Sequence, residues 1–186
     1  SIEMGIKNDP RKERVQEVLD ENKKAYEKEE NKEYFNSSYL WNPYGDSNLV
    51  YGDEEKEIKS IMVGIDAEAQ EIVLADRLRE KGNSIDLIFG HHPEGRGLIE
   101  LYKMIKIQED ILLEAGVSVS TAEKVISESF SKYSMTLMSL NYNRAVDTAR
   151  ILDFPFMTVH TPADNCCHMF LEKLMADKAP AELKDI

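Results

Sequence analysis

The chain has 186 residues, 31% of them charged and 42% apolar, with a formal net charge of −12. That length supports one substantial core, and the acidic balance excludes an electrostatic footprint for nucleic acid or an anionic membrane surface. No apolar run approaches the ~20 residues of a membrane span, the two cysteines are adjacent rather than spaced as a disulfide framework, and a cytoplasmic location is the expectation.

From the amino terminus, Asp9-Pro10 predicts a helix start, with Asp9 capping and Pro10 in the first turn. Val15, Val18 and Leu19 follow as an i, i+3, i+4 apolar stripe. The stretch from Glu27 to Glu33 has no apolar face and reads as a solvated helix end or loop. Trp41 to Ser47 is dense in turn formers, and the single tryptophan is expected to pin that loop to the core. From Ile58 the pattern alternates. Ile58–Ile65 reads as a strand followed by Asp66, Ala67–Lys81 as a helix closed by Gly82, and Ile85–Gly90 as a buried strand. Leu98–Ala115 reads as a helix and Val117–Val119 as a short strand. Ser120-Thr121-Ala122-Glu123 reads as a capping box opening a helical stretch to about Leu152, interrupted near Asn141-Tyr142-Asn143. Phe154–Val159 is a strand and Ala163–Ala176 a final helix. This order predicts an α/β fold, a largely parallel or mixed sheet flanked by helices, with Phe89 and Val159 buried on neighbouring strands.

The chemistry gathers at strand ends. All four histidines follow two apolar runs: His91 and His92 before Pro93, and His160 and His168 around Asp164. In a parallel sheet these ends share one edge, where open α/β sheets place their ligands, so Asp66, His91, His92, His160 and Asp164 become expected neighbours. Neutral imidazole beside carboxylate is the donor set of a borderline divalent metal. The competing readings are ordinary. Adjacent histidines can be a loop pair, Asp66 and Asp164 can cap the helices that follow them, and His168 reads as a surface residue. Asp86 can orient a histidine or bond loop backbone. Glu94-Gly95-Arg96-Gly97 suits an anion clamp or a plain turn, and Cys166 and Cys167 read as small half-buried helix residues. No dinucleotide fingerprint, P-loop or nucleophile elbow occurs.

Gly64-Ile65-Asp66, Ile85 to Pro93, and His160-Thr161-Pro162-Ala163-Asp164 together resemble the NIF-three-like dinuclear metal-centre family, the type-two GTP cyclohydrolase I homologues. Asn42 to Gly52 is similar to that family's segment before its first strand, and the likeness runs from about Trp41 to Leu174. The resemblance implies an α/β fold holding two divalent ions, such as zinc, iron or manganese. His91, His92 and Asp164 would be ligands by motif position, with His160 a ligand or close neighbour. It also implies a homo-oligomer, often a hexamer, and a metal-dependent hydrolase acting on a small nucleotide-like or cyclic-amide substrate; a non-enzymatic metal-binding scaffold is the alternative. The family's later His-x-x-x-Glu motif has no counterpart here, which suggests an amino-terminal half. By itself such a chain is expected to hold at most about one ion, weakly, and to perform no hydrolysis. The organisation so read is a polar helical segment and loop over 1–52, an α/β metal-binding domain over 53–178, and a linker-like tail over 179–186.

Overall fold

The computed structural model describes residues 1–182 and Lys184. The linker-like tail therefore falls partly, at 183, 185 and 186, outside the described residues. In chain order the elements are α1 (Ile2–Lys7), α2 (Glu13–Lys28), two 3-10 turns (Lys32–Tyr34 and Ser37–Leu40), β1 (Asn48–Tyr51), β2 (Ile61–Gly64), α3 (Ala69–Glu80), β3 (Leu87–Gly90), α4 (Arg96–Glu114), α5 (Val119–Leu137), α6 (Arg144–Ile151), β4 (Phe156–Thr158) and α7 (Thr161–Lys178). Four strands form one mixed sheet in the order β1-β4-β3-β2. β2, β3 and β4 run parallel, and β1 closes one edge antiparallel to β4. None of the helices among the described residues is long and apolar enough to cross a membrane.

Several expectations change in the structure. Asp9 caps no helix: α2 begins at Glu13, and Asp9 lies buried against Arg11. Val117–Val119 is not a strand, because Ser118 caps α5 and its side chain accepts from the Thr121 amide; the capping role falls on Ser118 rather than Ser120. β1 is an element the loop reading passed over. Trp41 does not pin the loop, being 58% exposed, whereas Tyr44 is fully buried and does. Its hydroxyl donates to Asp9 at 2.8 Å and accepts from Asn165 of α7 at 3.2 Å. Asn165 also donates to the Gly5 carbonyl of α1. One buried polar cluster thus joins α1, the turn before α2, the 42–47 loop and the start of α7. Burial opposes the charge on Asp9, but the Arg11 guanidinium and the Tyr44 hydroxyl outweigh it and hold its pKa below the ordinary carboxylate value.

The sheet is covered unevenly. Ile88 and Phe156 face a core with Ala67, Ile72, Ala75, Ala145, Ala149 and Phe154, contributed largely by α3 and α6. On the opposite face Val63, Phe89 and Met157 stand in register across three strands. Val63 is 63% exposed there, and Phe89 and Met157 are only half-buried. Phe89 is therefore not a core residue, although Val159 is buried. Alternation along the strand separates the two: neighbours point to opposite faces, and the α3–α6 core lies on the Ile88 side. Beyond Cys166 α7 also stands clear, with Phe170 62% and Leu171 50% exposed.

Ile88→Ala is expected to cost about 2–5 kcal/mol in a urea melt, as for a fully buried aliphatic side chain. Phe89→Ala should cost less than the about 3–5 kcal/mol typical of a buried phenylalanine. The reverse ranking would place the core on the other face.

Candidate metal centre

Three parallel strands end side by side, and each delivers a candidate group within two residues of its end. After β2 the chain doubles back. A Cβ at Gly64 would lie 2.6 Å from the Asp66 carbonyl oxygen, so only glycine permits this return. Asp66 is consequently not the cap of α3. Glu68 takes that position, its amide donating to the Glu71 carboxylate. The β2–β3 ladder continues past the strand proper, with the His91 and His92 amides donating to the Gly64 and Ile65 carbonyls, until Pro93 ends it. β3 likewise continues onto β4 through the Val159 amide, which donates to the Gly90 carbonyl. In a regular strand adjacent histidines would point apart. At this turning strand end the His91 and His92 rings lie 5.1 Å apart, and the His91 and His160 rings 4.8 Å apart.

The three imidazoles each offer a nitrogen, and these nitrogens lie within 4.8 Å of one another. The Nδ1 atoms are already engaged: His91 with the Val159 carbonyl at 3.2 Å, His92 with the Asp66 carboxylate at 2.6 Å, and His160 with the Asp46 carboxylate at 2.9 Å. A carbonyl and ionised carboxylates can only accept. Each Nδ1 must therefore carry the proton, which leaves Nε2 of each neutral ring with its lone pair free. Asp164 stands beside two of the three rings, its two oxygens lying 3.5 Å from His91 Nε2 and 3.7 Å from His160 Nε2. The donor set fits a divalent cation: three imidazole nitrogens, each held by a hydrogen bond on its far side, beside an exposed carboxylate.

The remaining sequence candidates sort differently. His168 and Cys167 are exposed, and Cys166 accepts from Asn8 away from the rings. Asp86 bonds backbone, accepting from the Lys59 and Ser60 amides. Arg96 opens α4 and lies 3.7 Å from Glu100. Asp46 was not singled out by sequence reasoning, since a carboxylate in a run of turn formers reads as a turn residue.

Burial disfavours the charged His160 ring, but its hydrogen bond to Asp46 and the charges of Asp46 and Asp164 prevail, raising its pKa above the usual 6.5. Glu94, two residues past His92, is pushed up to about 7, chiefly by burial and then by the Glu68 charge, with Arg144 opposing.

No protein-family model matches the sequence, and no curated protein matches it significantly. Among solved structures, a NIF3 superfamily protein from Sphaerobacter thermophilus matches with a TM-score of 0.65 and 25% sequence identity over 72% of this chain. This chain is NIF3-like. The match spans 46% of the other chain, so the NIF3-like chain corresponds to about half the length of that protein.

The Glu94 carboxyl gives a pH signature. Its pKa is higher folded than unfolded, so between about 4.5 and 7 the folded state binds more protons, and stability falls as pH rises. In metal-free samples Glu94→Gln should therefore be more stabilising, relative to the parent chain, at pH 8 than at pH 5. An equal shift in melting temperature at both pH values would show that Glu94 is not held in its neutral form.

Proposed function

We propose that the protein is a metal-dependent hydrolase whose centre takes divalent cations on Nε2 of His91, His92 and His160 together with the Asp164 carboxylate. The observation that carries this reading is the engagement of all three Nδ1 atoms by oxygen acceptors, which commits each ring to present Nε2. Borderline imidazole donors with one carboxylate suit zinc, with iron or manganese as alternatives. A divalent cation bound there supplies water of lowered pKa and polarises an electrophilic carbon. The chain's own part is to hold the rings. Asp66 fixes the ring of His92, the Val159 carbonyl fixes that of His91, and Asp46 that of His160. Asp164, 55% exposed, lies on the open side.

The rim of the site bears on the substrate class. Asp66 and Asp164 are more than half exposed there, and Arg144 is already paired with Glu68 at 2.6 Å. With Asp164 taken up by the cation, Asp66 is the exposed carboxylate left beside the rings, and neither residue offers a cation to a phosphate chain. The substrate proposed is the nucleotide-like or cyclic-amide class that the resemblance implies.

The test uses the intact gene product, stripped of metal and reloaded with zinc, iron or manganese in turn. The expected result is metal-dependent hydrolysis of members of a cyclic-amide and nucleotide panel, lost by at least about a hundredfold in His91→Ala. Stoichiometric metal binding without turnover of any panel member would overturn the hydrolase reading in favour of a metal-binding scaffold. For the 186-residue chain alone, elemental analysis should find at most about one ion, lost on dialysis against a chelator. Two retained equivalents would show that the ligand set is complete within it.

A further inference from the structure

The 42–47 loop lies more than a hundred residues from His160 in sequence, yet it ends against that ring. Asn42 shapes the loop, its side chain accepting from the Tyr44 amide at 2.9 Å and donating to the Ser47 carbonyl at 2.7 Å. Tyr44 anchors the loop to Asp9 and Asn165. The result is a carboxylate with no solvent exposure: Asp46 is 0% exposed. Its Oδ2 accepts from His160 Nδ1 at 2.9 Å, from the Thr161 hydroxyl at 2.6 Å and from the Thr161 amide at 3.3 Å. Its Oδ1 accepts from the Ser47 hydroxyl at 3.0 Å, and that hydroxyl in turn accepts from the His160 amide at 2.9 Å. Both the ring and the backbone of His160 are therefore set by two consecutive loop residues.

The charge balance at Asp46 is unusual. A buried carboxylate requires a compensating cation. Asp9, the other buried acid of this cluster, has Arg11. Asp46 has no lysine or arginine partner among the described residues, and its ion-pair partner there is His160. When His160 is neutral, Asp46 is left with the Thr161 and Ser47 donors, and positive charge at the far side of the ring adds to them.

We infer that Asp46 is a positioning residue of the metal centre: it locks neutral His160 in the Nδ1–H tautomer, aims Nε2 at the ion, and offsets the ion's charge through the ring. The inference rests on the proposed metal site but can fail separately from it. It also makes the amino-terminal loop part of the centre. The two other acceptors do less. The Asp66 carboxylate is 64% exposed and its charge is screened by water, and the Val159 carbonyl is uncharged.

Two measurements on the full 186-residue chain decide the matter. Long-range 1H–15N correlation spectra of the histidine rings, recorded on metal-free protein above the His160 titration, read the tautomer directly. His160 is expected as Nδ1–H in the parent chain, and an Nε2–H ring would overturn the inference. Zinc titration by calorimetry then compares the parent with Asp46→Asn and Asp46→Ala. Asparagine keeps the shape and a weaker acceptor, so zinc affinity should fall by about tenfold, and by up to about a hundredfold in the alanine variant. Folding of each variant is checked by its melting transition. If the alanine variant does not fold, the asparagine variant decides, and affinity within about twofold of the parent in a folded Asp46→Asn overturns the inference. If the parent itself takes up no zinc, the metal reading fails, while the tautomer spectra still test whether Asp46 sets the ring.

Discussion

The oxygens that hold the three clustered imidazoles by Nδ1 come from three different parts of the chain. One is a carbonyl just after β4, one a carboxylate after β2, and one a buried carboxylate in the loop before β1. The strand ends bring the rings together, but strand ends alone leave a histidine free to rotate and to choose its tautomer. Only the second set of contacts turns three neighbouring rings into a set with defined free nitrogens. The fold spends much of its polar structure on that set. The Asp9–Arg11–Tyr44–Asn165 cluster is buried and costly to desolvate, and it sits where it fixes the loop that carries Asp46.

The parts of this arrangement visible in the sequence are those set by local pattern. An apolar run followed by His91-His92-Pro93 marks a strand end, because proline ends the ladder and β-branched and aromatic residues favour the strand. The same logic placed His160 and Asp164, and the α/β alternation from β2 to α7 apart from the strand expected at Val117–Val119. What was not legible depends on partners distant in sequence. The sheet topology brought Asp66 to the histidine edge, though its reading as a helix cap gave way to a bond with His92, 26 residues on; Asp46 sits in a turn, where a carboxylate ordinarily closes the backbone, and nothing local shows that it reaches a histidine 114 residues away. Tyr44 rather than Trp41 anchors the loop for a related reason: its hydroxyl has buried polar partners, and indole, the larger ring, has none there. β1 was hidden because its strand formers, Leu49, Val50 and Tyr51, directly follow the turn-rich segment.

The uneven covering of the sheet gives a physical reason why Phe89 and Ile88 differ so much in burial despite being neighbours. Parallel strands ordinarily have both faces covered. Here α3 and α6 cover one, whereas on the other Leu87 and Val159 are buried, Phe89 and Met157 are half-buried and Val63 is exposed. The site itself gathers three imidazoles at the ends of β3 and β4, with the Asp164 carboxylate beside two of them.

The central claim is that Nε2 of His91, His92 and His160 faces a common cation position. Anomalous diffraction at the zinc edge, from crystals of the chain grown with zinc, tests it most directly. The account predicts a zinc peak at the three-histidine cluster, with ring Nε2 atoms at about 2.0–2.1 Å and each Nδ1 still on its oxygen partner. A peak coordinated by Nδ1 atoms, or zinc bound elsewhere with the cluster empty, would contradict it.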